Sequence, residues 1–325
     1  MIHRECGVLK TTYEADMALY PLPIARWTVA VLAVLFFLVL PFSVHEYYLS
    51  IVNLVSVSVV GALGLNILVG YTGQISIGHG AFMSVGAYTA ANFVTRLDWP
   101  WPVNLLLGGL MAALIGAIVG IPSLRIKGLY LAIATLAGQL IIEWTINHVT
   151  FISGGVQASI QVPRPELFGV PIASQRQMYF LLLAFVVVAL VGTMNLVRSR
   201  IGRAFIAIRD HDIAAEIIGI NIFRYKLLAF AISSFYAGVT GVLYTYYLGI
   251  ANYEQFQIVT SIDYLAMIII GGLVFTQAAV LNIIPNLRLI LFGGLIIFFL
   301  VVEPEGLNRL WRNIRNYFRL WPFAY

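Results

Sequence analysis

A chain of 325 residues that is 61% hydrophobic and only 10% charged is not an ordinary soluble domain, in which about a quarter of the residues carry charge, and its mean hydropathy of +0.92 makes lipid the solvent for much of its surface. The apolar stretches run unbroken rather than alternating, which excludes a membrane β-barrel and leaves helices as the spanning element. A net charge of +5 would suit nucleic acid, but the basic residues stand in short loops between apolar runs, the pattern of cytoplasmic loops, and a single cysteine, Cys6, excludes a disulfide framework or a cysteine-rich metal site.

Residues 1–26 are mixed and polar and read as a cytoplasmic N-terminal segment. No short apolar core precedes a small-residue cleavage site, so the first apolar run is expected to stay as a span. Apolar runs of spanning length, roughly 20 residues, fall near 27–44, 50–70, 103–122, 128–147, 178–197, 227–248, 262–281 and 287–302. A further run, 75–94, is rich in Gly, Ser and Ala. The expectation is an all-α, polytopic membrane bundle of about 8–10 helices over 27–304, with one broken Gly-rich segment. A basic amphipathic tail follows over 305–325. Pro41, Pro122 and Pro285 sit at or near run ends, where helices tolerate them.

Lys and Arg set the orientation. Arg125 and Lys127 mark one short loop, and Arg198, Arg200, Arg203, Arg209, Arg224 and Lys226 mark the stretch 198–226. Both belong on the cytoplasmic side. The aromatic loop Trp99, Pro100, Trp101 and the polar loop 148–177 are then outside. The count fails only at the end: three further spans would leave the C-terminus outside, whereas Arg309, Arg312, Arg315 and Arg319 call for the inside.

Three stretches are candidates for function. In 70–92, Gly70, Gly73, Gly78 and Gly80 interrupt a helix start, while Ser76, Gly80 and Ser84, then Ala87 and Ala91, recur every four residues. Small residues at that spacing let helix backbones approach in lipid. A broken segment at membrane depth is tolerated only beside protein or a water-filled cavity, and its free N–H groups suit a carboxylate. Close packing and ligand contact are both open. His79 within it is either a hydrogen-bonded packing residue or a proton carrier. In 128–147, Thr135, Gln139, Glu143 and Asn147 step by four, so each drifts only about 40° and the set forms one slowly winding polar stripe. Such a stripe faces the bundle interior or an aqueous path. Glu143 either meets an ammonium group or snorkels to the interface. The candidate path residues are therefore Gln74, Ser76, Gly78, His79, Gly80, Thr135, Gln139 and Glu143.

The third stretch is 198–226, too polar to span. Within it DHDIAAEIIG (210–219) reads as a short helix, started by Asp210 or Asp212 as cap and ended by Gly219. It would display Ile213, Ala214, Ala215, Ile217 and Ile218, an apolar knob among charges. Such a knob either docks into a groove of another protein or lies on the membrane surface. The sequence has no Walker A loop, HExxH or CxxC, and nothing like a nucleophile elbow. The chain is thus expected to be no enzyme, and an ATPase driving it would be another chain.

Four stretches together resemble the branched-chain amino acid permeases of ABC importers, of the LivM type. They are GLNILVGYTGQISIGHGAFMSVGAYTAA (64–91), PSLRIKGLYLAIATLAGQLI (122–141), RSRIGRAFIAIRDHDIAAEIIGINIFRYKLLAFAISSFYAGVTGVLY (198–244), and LRLILFGGLIIFFLVVEPEGL with its tail RLWRNIRNYFRLWPFAY (287–325). The resemblance implies a coupling helix over 209–219, where Arg209, Asp210, Asp212, Ala214, Ala215, Glu216 and Gly219 would meet the ATPase. It implies a LivH-type second permease, two ABC ATPase subunits and a periplasmic substrate-binding protein as partners. No cofactor is bound by this chain on that view: ATP and Mg belong to the ATPase. It further implies alternating access in the bacterial inner membrane, with leucine, isoleucine and valine as substrates. Urea or short-chain amides are related alternatives, and an ion-gradient-driven secondary transporter is the competing class. After MIIIGG (267–272) the family usually continues Leu-Gly-Ser and then a Gly-Pro segment. Here LVFTQAAVLNIIPN (273–286) runs almost directly into the last apolar run, at the place where the crossing count fails.

Overall fold

The computed structural model describes residues 40–124, 128–154, 159–167, 170–172 and 174–270. The expected N-terminal segment, most of the run 27–44, Arg125 and Lys127, the shortened region 273–286, the run 287–302 and the tail 305–325 lie outside the described residues. The chain falls into two compact units, 1–50 and 51–325. Of the first, the described residues form a helical turn, Leu40–Ser43, and the start of helix α1.

Each apolar run expected between residues 50 and 248 is a helix. α1, Glu46–Asn66, passes into a π-helical turn, Ile67–Tyr71. There follow α2 (His79–Leu97), α3 (Trp101–Ser123), α4 (Leu129–His148), α5 (Gln175–Arg198), α6 (Arg200–Asp210), α7 (Asp212–Ile217), α8 (Ile222–Leu248) and α9 (Ile258–Ile270). Among the described residues, Glu46–Tyr71, Trp101–Ser123, Gln175–Arg198 and Ile222–Leu248 are long and apolar enough to cross a membrane. Polar caps fix where the later helices begin. Ser174 and Gln177 form a capping box at α5, the Ser199 hydroxyl accepts from the N–H groups of Ile201 and Gly202 at α6, and the Asn221 side chain accepts from Arg224 at α8.

The loops sort to two ends. At one, strand β1 (Ser159–Gln161) pairs antiparallel with β4 (Ile250–Asn252), and β2 (Glu166–Leu167) with β3 (Val170–Pro171). There Trp101 Nε1 donates to the Glu166 carbonyl at 2.8 Å. At the other, Thr72–Gln74, Leu124, Gly128, Ile208–Asp212 and Lys226 surround a cavity of about 250 Å³. Among the described residues, the segments read as external thus share one end, and the stretch 198–226 read as cytoplasmic lies at the other.

The bundle is apolar outside and small inside. On α3, Leu106, Leu110, Leu114, Ile118 and Ile121 are exposed, while Gly108, Gly109, Ala112, Gly116 and Gly120 are buried. Lipid is as apolar as leucine, so large side chains gain nothing by facing inward, and close backbone approach is what holds the helices. α2, α3 and α8 meet in this way. A Cβ at Gly86 would overlap the Gly238 backbone, one at Gly238 would come within 2.7 Å of the Gly108 carbonyl, and one at Gly241 would strike the Met83 carbonyl. Around this seam Phe82 and Phe230 pack edge to face, 5.7 Å apart. Overpacking it with Gly86→Val should cost about 3 kcal/mol, read as a lowered melting temperature in detergent. Leu114→Ala, on the lipid face, should leave that temperature unchanged.

Candidate translocation and coupling sites

The π turn at the end of α1 marks where the helix stops being regular, a feature common at functional places. Thr72 Oγ1 donates to the Leu68 carbonyl at 2.5 Å, and the Gln74 N–H to the same carbonyl at 3.1 Å. The chain then runs without helix to α2. Its restart lies level with the middle of α4: the Ile77 N–H donates to Thr135 Oγ1 at 3.0 Å, and the Ala81 N–H to Gln139 Oε1 at 2.7 Å. Glycine is required at Gly78, where a Cβ would sit 2.9 Å from the Thr135 carbonyl.

A second break meets the first. From β4 the chain makes a 3₁₀ turn, Tyr253–Phe256, and α9 starts at Ile258. Gln139 Nε2 donates to the Phe256 carbonyl at 2.9 Å, while Gln139 Oε1 also accepts from Ser261 Oγ at 3.1 Å. Ser261 Oγ in turn accepts from the Gly80 N–H at 2.7 Å. Gln139, 1% exposed, thus ties the restart of α2 and the start of α9 to the middle of α4.

The placement corrects three expectations. The N–H groups of Gly80 and Ala81 are not free for a carboxylate, because Ser261 and Gln139 take them. Gln74, Ser76, Gly78, His79, Gly80, Thr135 and Gln139 are all buried inside this one chain. The polar stripe of α4 divides: Thr135 and Gln139 face the break, while Glu143 and Asn147 are half-buried, and among the described residues no hydrogen bond or ion pair reaches the Glu143 carboxylate. His79 packs against Tyr264 with ring centroids 5.1 Å apart. Ser261 and Phe256 were absent from the expected site because both fall in a stretch that reads as an ordinary loop and helix start; the clamp depends on a contact 122 residues away in sequence.

At the basic end, α6 and α7 form one angled unit. Arg209 and Asp210 close α6 instead of opening the coupling helix, and His211 occupies the cap position of α7 with no side-chain capping bond, so neither Asp210 nor Asp212 is the cap. Asp212 lies in the first turn of α7, where its charge favours the helix dipole. Gly219, at φ 89°, ends the helix as expected: its N–H donates to the Glu216 carbonyl and that of Ile220 to the Ala215 carbonyl, a Schellman arrangement. Ile213, Ile217 and Ile218 stand out in solvent, Ile217 at 80% exposure, with Ala214 and Glu216 beside them. Ala215 is buried at 2% and belongs to the inner face, not the displayed one. Arg209 points back into the bundle: Nη1 donates to the Gly70 carbonyl at 2.7 Å, and its stem lies over Gly73.

A multi-pass helical membrane protein with an interrupted helix inside and an apolar knob at its basic end has the build of a transport permease. The chain belongs to the family described as branched-chain amino acid transport system / permease component, whose model matches residues 47–302. It is 31% identical over 302 aligned positions to the high-affinity branched-chain amino acid transport system permease protein LivM of Escherichia coli (strain K12), covering 82% of this chain and 71% of the relative. It is 24% identical over 281 positions to LivH of Salmonella typhimurium, covering 76% of this chain and 89% of the relative. It is 24% identical over 230 positions to the ribose import permease protein RbsC of Haemophilus influenzae, 69% and 68% covered. The alignment with LivM is 302 positions long but covers 82% of the 325-residue chain, fewer residues than it has positions, so the relative carries residues with no counterpart here. No solved structure matches the chain.

Replacing Gln139 by Leu removes both arms of the clamp and orphans the Ala81 N–H and the Phe256 carbonyl. Each orphan should cost about 1–3 kcal/mol, measured as a lower unfolding temperature in detergent. Glu143→Gln, at a carboxylate that clamps nothing, should leave the unfolding temperature where it was.

Proposed function

We propose that this chain is the membrane-spanning permease subunit of an ATP-driven importer that carries branched-chain amino acids across the bacterial inner membrane by alternating access. Family membership and the exposed Ile213, Ile217 and Ile218 knob at the basic end support this reading. A contiguous apolar surface on a six-residue helix rimmed by charge fits a groove in a partner protein. The partner is an ABC ATPase, present in two copies and holding ATP and Mg; this chain binds no cofactor and is not itself an enzyme. A LivH-type second permease and a periplasmic binding protein complete the assembly. Residues 198–226 are the cytoplasmic coupling loop, 1–26 the cytoplasmic N-terminal segment and 305–325 a basic tail. Arg209, Asp210 and Asp212 support the coupling unit, Ala214 and Glu216 flank its docking face, and Ala215 and Gly219 hold its shape.

The coupling runs through bonds in series. ATP-driven closure of the two ATPase chains moves α7, α7 moves α6, and the Arg209 bond to Gly70 delivers the motion to the π turn and the break behind it. A packed bundle converts such a push into a choice between two arrangements. Glu143 would meet the ammonium group of a zwitterion, a role supported by its half-burial and by the lack of an ion-pair partner among the described residues. His79, sealed against Tyr264, suits a packing role better than proton transfer, which favours the ATP-driven mechanism over an ion-gradient one.

Ile213→Arg with Ile217→Arg should cut co-purification of the ATPase about tenfold or more, a change of 1.4 kcal/mol per decade, while the second permease stays bound. Undiminished co-purification would remove the docking role. Arg209→Gln leaves the knob intact and should separate the two activities: ATP hydrolysis persists in proteoliposomes while uptake of labelled leucine falls.

A further inference from the structure

Exposure along the break alternates. Thr72, Gln74, Ser76 and Gly78 are buried; Gly73 and Ile75 are exposed, Ile75 at 39%; Ile77 is half-buried. The segment forms no strand ladder and Gly73 sits at φ 69°, so this is irregular backbone with one side turned inward and the other outward. On the inward side Thr72 Oγ1, Gln74 Nε2 and the Ile77 N–H are hydrogen-bonded. The outward side is more open. Among the described residues nothing accepts from the N–H groups of Ile75 and Ser76.

Open backbone is costly against lipid and persists in a membrane bundle only against water or protein. The end of the segment favours water. Gly73 and Gln74 line the cavity of about 250 Å³ whose other walls include Arg209, Asp210, Asp212 and Lys226, a charged chamber at the basic end. Gln74, buried at 2%, carries a carboxamide oxygen with no partner. The relatives add a second reason. This chain is similar to both LivM and LivH, so in a pair of such permeases equivalent faces meet about a pseudo-twofold axis. A path on that axis can use an exposed edge from each subunit, whereas a cluster sealed inside one chain cannot line it.

We infer that the outward side of residues 73–77 walls the water-filled path, with Ile75 meeting the aliphatic side chain of the transported amino acid and the Ile75 N–H its carboxylate. This rests on the permease reading above. It places the path on the side opposite Gln74, Ser76 and Gly78, which hold the segment in place from behind.

Cys6 is the only cysteine, so a Cys6→Ser parent gives a silent background. In the assembled transporter in proteoliposomes, Ile75→Cys is compared with Leu114→Cys on the lipid face and Ser84→Cys in the packed interior, using a charged thiol reagent that needs water to form the reactive thiolate. Ile75→Cys should be modified about tenfold faster than either control, and leucine with ATP should slow it. Ile75→Trp should abolish leucine uptake while the ATPase chains remain bound. Modification of Ile75→Cys no faster than Leu114→Cys, or at a rate that turnover with leucine does not change, would overturn the inference. Leucine uptake by the parent tests the permease reading separately, since the labelling ratio is read without any substrate.

Discussion

Gln139 carries the constraint on which the interior depends. In lipid no water waits to satisfy a backbone group that loses its helix, so a helix can be interrupted only where another part of the chain supplies the missing partners. Here one carboxamide supplies them for two interruptions at once, an acceptor for Ala81 and Ser261 and a donor to Phe256. An amide suits the task because it offers both polarities without a charge, whereas a carboxylate at the same place would add an acceptor and remove the donor. Thr135 and Ser261 extend the same logic to Ile77 and Gly80. The breaks exist because the clamp does.

Around the clamp, the glycine seam of α2, α3 and α8 supplies rigidity of a different kind. Gly86, Gly238 and Gly108 bring backbones together where a single methyl group would collide. Dispersion between closely packed backbones replaces the hydrophobic drive that lipid removes. α2 therefore has its N-terminus held by polar bonds to α4 and α9, and its body held by steric fit to α3 and α8. A helix fixed at both places cannot tilt freely. Motion at this end of the bundle is left to the unhelical segment ahead of it, 72–78, and to the π turn before that.

Much of this was legible in the residues, and the parts that were not share a cause. The spans between residues 50 and 248, the break at 70–80, the knob at 213–218 and the Gly219 terminator all follow from local pattern, because hydropathy, glycine spacing and capping act within a few residues of one another. The facing of the break did not follow. Helical spacing groups Ser76, Gly80 and Ser84 on one side, but residues 73–77 adopt a period of two, which reverses the role of each neighbour and puts Ile75 rather than Ser76 at the surface. Gly-Gln-Ile-Ser-Ile-Gly does alternate apolar with polar, and that was the available signal. Ala215 was misassigned to the displayed face because a six-residue helix has no stretch in which to establish which side is inward. Ser261 and Phe256 could not be read at all: their roles come from tertiary contact with Gln139, for which a single sequence offers no local sign.

The two functional regions are joined by one residue with an unusual double placement. Arg209 ends the amphipathic α6 among the charges of the basic end, yet its guanidinium reaches the Gly70 carbonyl in the π turn. A carbonyl in a π turn is displaced from the ordinary helical ladder, so it offers a lone pair that a regular helix would have used. Arginine is the side chain suited to reach it: long enough to span the gap, always charged, and able to bond while its stem packs over Gly73, whose φ of 69° disfavours any side chain. On the permease reading proposed above, movement of the knob loads the junction between α1 and the break through this bond, alongside the packing of α6 on α5 and α8. In that proposal the contacts from knob to guanidinium to π turn to the outward side of residues 73–77 are one route by which a force applied at the surface changes the exposure of Ile75.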